Sequence, residues 1–172
     1  MFLELIAVIF AGIAVAGVVM LANSATGGHL PRWLAPVAAG LAMIGVTIAS
    51  EYSWYSRTAA NLPEGLVIAE TVETRSFYRP WTYVVPLSER FVAVDLATRR
   101  SHPDQPDQHL AEVFFFGRWA PISQLSILTD CAAWRRAVVE AEARFAQDGA
   151  VAGVNWVSPP VDDPLLTISC GG

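Results

Sequence analysis

The chain has 172 residues, 53% of them hydrophobic, with eleven basic and sixteen acidic side chains and a net charge of −5. The soluble part is net acidic, has no lysine and carries only short basic pairs such as Arg99-Arg100, so nucleic-acid binding is not expected. Two cysteines without a C-x-x-C spacing exclude both a disulfide-dense scaffold and a thioredoxin-type redox motif.

Residues 3–22 and 33–50 are two almost charge-free apolar runs joined by a loop, Asn23 to Arg32. Each approaches the ~20 residues that span a bilayer core of ~30 Å as a helix. Trp33 at one boundary and Tyr52, Trp54 and Tyr55 at the other suit the headgroup zone. Met-Phe-Leu-Glu-Leu carries no positive n-region, so the first helix is expected to be retained rather than cleaved. Gly27-Gly28 and Leu30-Pro31 allow the chain to reverse, which predicts an antiparallel transmembrane hairpin over 1–55. Arg32 in the loop balances Arg57 after the second span, so the positive-inside rule leaves orientation open. The acidic N-terminal stub and the downstream cysteines favour a cytoplasmic loop and a soluble domain in the periplasm.

Small residues recur at helical spacing, with Ala7, Ala11, Gly12 and Ala16 in the first span and Ala35, Ala39, Gly45 and Ala49 in the second. This pattern suits close helix packing, either within the hairpin or against another membrane protein; Gly12, Ala16, Ala35 and Ala39 are the candidates for the latter. Neither span has an internal ionisable residue, which argues against a pump, channel or coupled transporter.

From Arg57 onward lie ten of the eleven basic and fourteen of the sixteen acidic residues, the composition of a soluble domain over 56–172. Segment 56–64 reads as its connector. Short β-branched and aromatic stretches predict strands at Leu66–Thr74, Trp81–Val85, Phe91–Leu96, Glu112–Phe116 and Ile122–Leu128. The polar stretch 97–109 reads as a mobile loop. Trp134, Ala137, Val138, Ala141 and Phe145 share one face at helical spacing, predicting the principal helix from Thr129 or Asp130 to Gly149. Val154–Val157 and Leu165–Cys170 read as final strands. The expected fold is a membrane-anchored α+β chain: a two-helix hairpin, then a small, mainly antiparallel sheet with one principal helix.

Candidate chemistry is sparse. Cys131, at the start of the predicted helix, could have a lowered thiol pKa; the alternatives are two inert buried thiols or a structural disulfide with Cys170, and the disulfide is preferred for a domain outside the cytoplasm. His102, Asp104, Asp107 and His109 offer ligand types acceptable to zinc, but in a polar, proline-rich loop they read as solvated side chains, and no metal or other cofactor is expected. No nucleophile elbow, H-E-x-x-H, phosphate loop or dinucleotide fingerprint occurs, so no catalytic residue is nominated. The distinctive segment is Phe77-Tyr-Arg-Pro-Trp-Thr-Tyr83, whose aromatics and arginine have the composition of interaction hot spots, although half of a strand here would pack inward. Tyr78, Arg79 and Trp81, then Trp119, are the candidate partner-binding residues. The chain has the look of a small membrane-anchored bacterial protein from a lysine-poor, alanine-rich proteome, and a bacterial inner membrane is the expected location. The leading expectation is a non-catalytic accessory or assembly protein of a larger integral membrane complex; the alternative is a membrane-tethered sensor or binding domain for a small ligand or envelope component, with an enzyme third.

Overall fold

The computed structural model describes residues 2–140 and 143–171 and divides into two compact units, with the boundary after Arg57. In the first unit, α1 spans Phe2–Ala25 and α2 begins at Leu34 and continues to Ala60. Both helices are long and apolar enough to cross a membrane. Their side chains are largely exposed, including Phe10, Met20, Leu41 and Ile44. The turn between them is closed by Asn23, whose side-chain oxygen accepts from the Leu30 N–H at 2.9 Å, while Gly27 and Gly28 supply positive φ. The helix overruns the segment expected as a connector: residues 56–60 extend α2, leaving Asn61–Gly65 as the link to the sheet.

The second unit is built on a five-stranded antiparallel sheet whose strand order is the chain order. The strands are β1 (Leu66–Thr74), β2 (Leu87–His102), β3 (Gln105–Gly117), β4 (Ser123–Asp130) and β5 (Arg135–Val138). Val67 pairs with Val94, Val94 with Val113, Val113 with Leu125, and Ala111 with Ile127, so one face collects the core of Val94, Ala111, Val113 and Ile127. Leu165 and Ile168 of α3 (Pro164–Cys170) pack against it. Phe91 and Phe116 stack with ring centroids 4.6 Å apart. A small hairpin, β6 (Arg144–Phe145) with β7 (Val151–Ala152), completes the unit.

Several expectations are corrected here. The principal helix expected from Thr129 or Asp130 to Gly149 is absent from the described part of that segment. Instead, β4 continues to Asp130, a turn follows with Trp134 at φ 47°, and Arg135–Val138 returns as a strand. Asp130 fixes this turn by accepting from the Ala133 N–H at 3.0 Å, an Asx-type local bond that competes with helix formation. The apolar spacing fits both periods, and cross-strand pairing wins; of its candidate face, Ala141 lies outside the described residues.

The helix lies where a strand was expected. Pro164 occupies its first turn and Asp163 caps it, accepting from the Leu166 N–H at 3.0 Å. Trp81–Val85 is likewise not a strand: Pro80–Tyr83 is a 3₁₀ turn. Val154–Val157 contributes only a single bridge, between Val157 and Arg136. The stretch 97–109 is a long hairpin rather than a mobile loop, since β2 reaches His102 and β3 starts at Gln105. It bulges after Asp95, whose carboxylate accepts from the Ala97 and Thr98 N–H groups.

Candidate functional site

Antiparallel order places the β1–β2 and β3–β4 connections at the same end of the sheet, because Thr74 pairs with Leu87, Arg90 with Gly117 and Phe115 with Ser123. Tyr78, Arg79 and Trp81 are in the first connection and Trp119 in the second. The first joins β1 to β2 and the second β3 to β4, so the two connections stand about two inter-strand spacings, or ~10 Å, apart. The end is strongly apolar at its surface: Phe77 is 85% exposed and Val84 84%, with Tyr78, Trp81, Tyr83, Trp119 and Ile122 also exposed.

The first connection is held by Thr82, which is 1% exposed. Its hydroxyl accepts from the Ser76 N–H at 2.9 Å and donates to the Arg79 carbonyl at 2.7 Å. Ser76 and Arg79 also pair through their backbones, so the loop is an ordered knot that displays Phe77 and Tyr78. Phe77 meets Tyr78 edge-to-face at 5.8 Å, and the Arg79 guanidinium lies 5.3 Å from the Tyr78 ring centre. Arg118 takes the same position over Trp119 at 5.0 Å, and its N–H donates to the Glu89 carbonyl at 2.9 Å. Thr82 escaped the sequence reading because a threonine between aromatics resembles strand composition; Pro80 before it was the available signal for a turn.

In the helical unit, Gly12 is the buried residue of α1. A Cβ there would lie 2.8 Å from Met43 Cγ and 3.7 Å from the Ala39 carbonyl oxygen. Gly12 and Ala39 thus serve the contact between α1 and α2. Ala16 and Ala35 are half-buried, whereas Gly17, Gly40 and Gly45 have open space where a side chain would start.

Cys131 and Cys170 are joined in a disulfide with Cα atoms 5.7 Å apart, so neither a reactive thiol nor two inert thiols describes this pair. The bond ties the turn after β4 to the last residue of α3, not a helix start to a final strand. Nearby, the Asp130 carboxyl is held below the usual carboxylate range. Burial pushes it up, but the Ala133 N–H, the Arg135 guanidinium and Gln108 outweigh that. His109 is pushed down, first by burial and then by Arg99, with Asp107 opposing.

The four residues weighed as metal ligands lie on the β2–β3 hairpin. His102 packs on Gly149 and approaches Asp104 at 3.7 Å, while His109 pairs with Ser101 in the ladder. Among the described residues, no three His, Cys, Asp or Glu side chains gather around a common point.

Among the described residues, apolar concavities lie beside the sheet. One, of about 190 Å³, lies by the hairpin end between Leu110, Leu128, Phe145 and His102. The larger, of about 350 Å³, opens on the α3 face between Val113, Phe115, Leu125, Ile127 and Val157. Comparison with family models, with curated proteins and with solved structures finds no match to this chain.

Proposed function

We propose that this chain is a non-catalytic accessory or assembly subunit of an integral membrane complex, inserted through α1 and α2, with its sheet domain presenting an aromatic and arginine-rich end to a partner. The observation that carries this reading is that Tyr78, Arg79 and Trp81 share one end of the sheet with Trp119, and that none of the four is buried. Trp, Tyr and Arg are the residues enriched at protein interfaces, and an exposed apolar cluster of this kind on a small domain calls for a cover. Further support comes from the helical unit: its apolar surface suits lipid and helix contacts, and Gly17, Gly40 and Gly45 remain open for close approach by another helix.

The proposed setting is a bacterial inner membrane, crossed twice, with the sheet domain on the periplasmic side. The disulfide supports that side, since such bonds persist in oxidising compartments. The test is recovery of the C-terminally tagged chain from its native membrane in mild detergent, with mass spectrometry of its companions. A stoichiometric membrane complex that dissociates on combining Trp81→Ala with Trp119→Ala is the expected result. Recovery of the chain alone would remove the accessory reading. A tethered ligand-binding domain is the second reading, favoured by the 350 Å³ apolar pocket.

A further inference from the structure

The core face of the sheet is larger than the helix that covers it. Helix α3 has seven residues, about 10 Å of helix, against strands of eight to sixteen residues. Beyond its edge lies the 350 Å³ pocket, floored by Val113, Phe115, Leu125 and Ile127 and walled by Val157 and Leu165. A core gap of this size ordinarily closes by collapse of its walls. Here both walls are tied elsewhere. Arg136 and Val157 exchange two backbone hydrogen bonds, at 2.9 and 2.8 Å. The Arg136 guanidinium lies 3.2 Å from the Asp163 carboxylate, whose other oxygen caps α3. Cys170, at the far end of α3, is bonded to Cys131. The cavity is therefore mainly apolar, with its walls fixed by polar ties at its rim and a covalent tie beyond it, which is the construction of a preformed ligand site.

Charge at the mouth narrows the ligand. The charged side chains lining the pocket are Arg136 and Glu140, and Asn155 stands beside them. Arg136 is already matched by Asp163, whereas Glu140 has no ion-pair partner among the described residues and is exposed. An incoming anion would meet an already paired guanidinium and an unpaired carboxylate, whereas a cation would meet that carboxylate as a partner; the Asn155 amide can serve either. We propose that this pocket binds a small amphiphile, a single medium-length aliphatic chain ending in a cationic group, with the chain on Val113, Leu125 and Ile127 and the cation at Glu140. The site is independent of the aromatic end of the sheet and does not rest on the accessory reading.

The test uses the full chain in nanodiscs of zwitterionic lipid, with methyl groups of Ile, Leu and Val labelled for NMR, titrated with decylammonium and separately with decanoate. The expected result is saturable shifts of the Leu125, Ile127 and Leu165 methyls with decylammonium, and at least tenfold weaker binding of decanoate. Glu140→Gln should reduce that preference to threefold or less. Leu125→Trp, at a position 43% exposed and able to turn its ring into the cavity, should abolish the pocket shifts while sparing the methyls of the other sheet face. Shifts confined to α1 and α2, equal affinity for the two probes, or a preference unchanged in Glu140→Gln would overturn the proposal. Pocket shifts that depend on protein concentration without probe would also overturn it, by showing that a second copy fills the site.

Discussion

Asp130 concentrates four donors on one buried carboxylate: the Ala133 N–H, both contacting nitrogens of Arg135 at 3.0 and 2.8 Å, and Gln108. Arg135 in turn stacks over Trp156 at 4.4 Å, so the carboxylate organises a turn, a strand end and an aromatic contact together. Because its folded pKa lies below that of the unfolded chain, near 3.9, the folded state binds fewer protons. Its stabilisation is therefore complete above that value and is lost as pH falls through the folded pKa. Asp130→Asn is expected to cost about 2 kcal/mol at neutral pH, the scale of charge-assisted hydrogen bonds. Chemical denaturation at pH 7 and pH 3 checks this, with the gap between the two proteins narrowing at the lower pH. Thr82→Val, which keeps the shape and removes the hydroxyl, should leave the sheet intact and raise amide exchange at Ser76 and the residues up to Arg79. Of these two residues the sequence disclosed Asp130 as a possible cap, though of the wrong element. Thr82 was hidden, since nothing local marks a hydroxyl that will be buried by its own loop.

Elements were legible where a single physical demand decided them. The two apolar runs fold as long helices, and the β-branched and aromatic stretches lie within β1, β2, β3 and β4; the polar ends of β2 and β3 carry no such signal and read as loop. Failures came where two periodicities fitted the same letters. In 130–149, helical spacing of Trp134, Ala137 and Val138 coexists with the β-branched pair Val138-Val139, and pairing of Ile127 with Val138 settles the matter from outside the segment. In 164–170 the opposite holds: a strand-like composition folds as a helix because Asp163-Pro164, a local cap-and-first-turn signal, starts one. The candidate surface residues were readable by composition, but their meeting at one end required the strand order. Within the hairpin, the two glycines at the small-residue faces are not equivalent. Gly12→Leu must push Met43 and α2 away and should lower hairpin stability by about 1–3 kcal/mol. Gly45→Leu meets open space and should leave the isolated hairpin unchanged while weakening any helix seated outside it. Detergent-unfolding midpoints of the two variants separate these effects.

At the scale of the whole molecule, the covalent tie between Cys131 and Cys170 encloses a 39-residue separation, worth about 4 kcal/mol in the chain-entropy account. A double Cys→Ser variant should therefore unfold at distinctly lower denaturant while keeping the β1–β4 ladder at low temperature. A reporter fused after the sheet domain tests the proposed sidedness, and a cytoplasmic signal would reverse it. The strand order has a kinetic implication as well. Each strand pairs with its immediate predecessor, so the ladder can grow one hairpin at a time with short loop closures. Helix α3 must travel back across several strands to reach the face formed by β1 to β4, and Cys170 must then find Cys131. Folding should thus separate into a fast zippering that a reductant leaves untouched and a slower docking that waits on oxidation. Between the two, the valine and isoleucine face stands open to solvent, and any factor that shields nascent chains has its longest opportunity there.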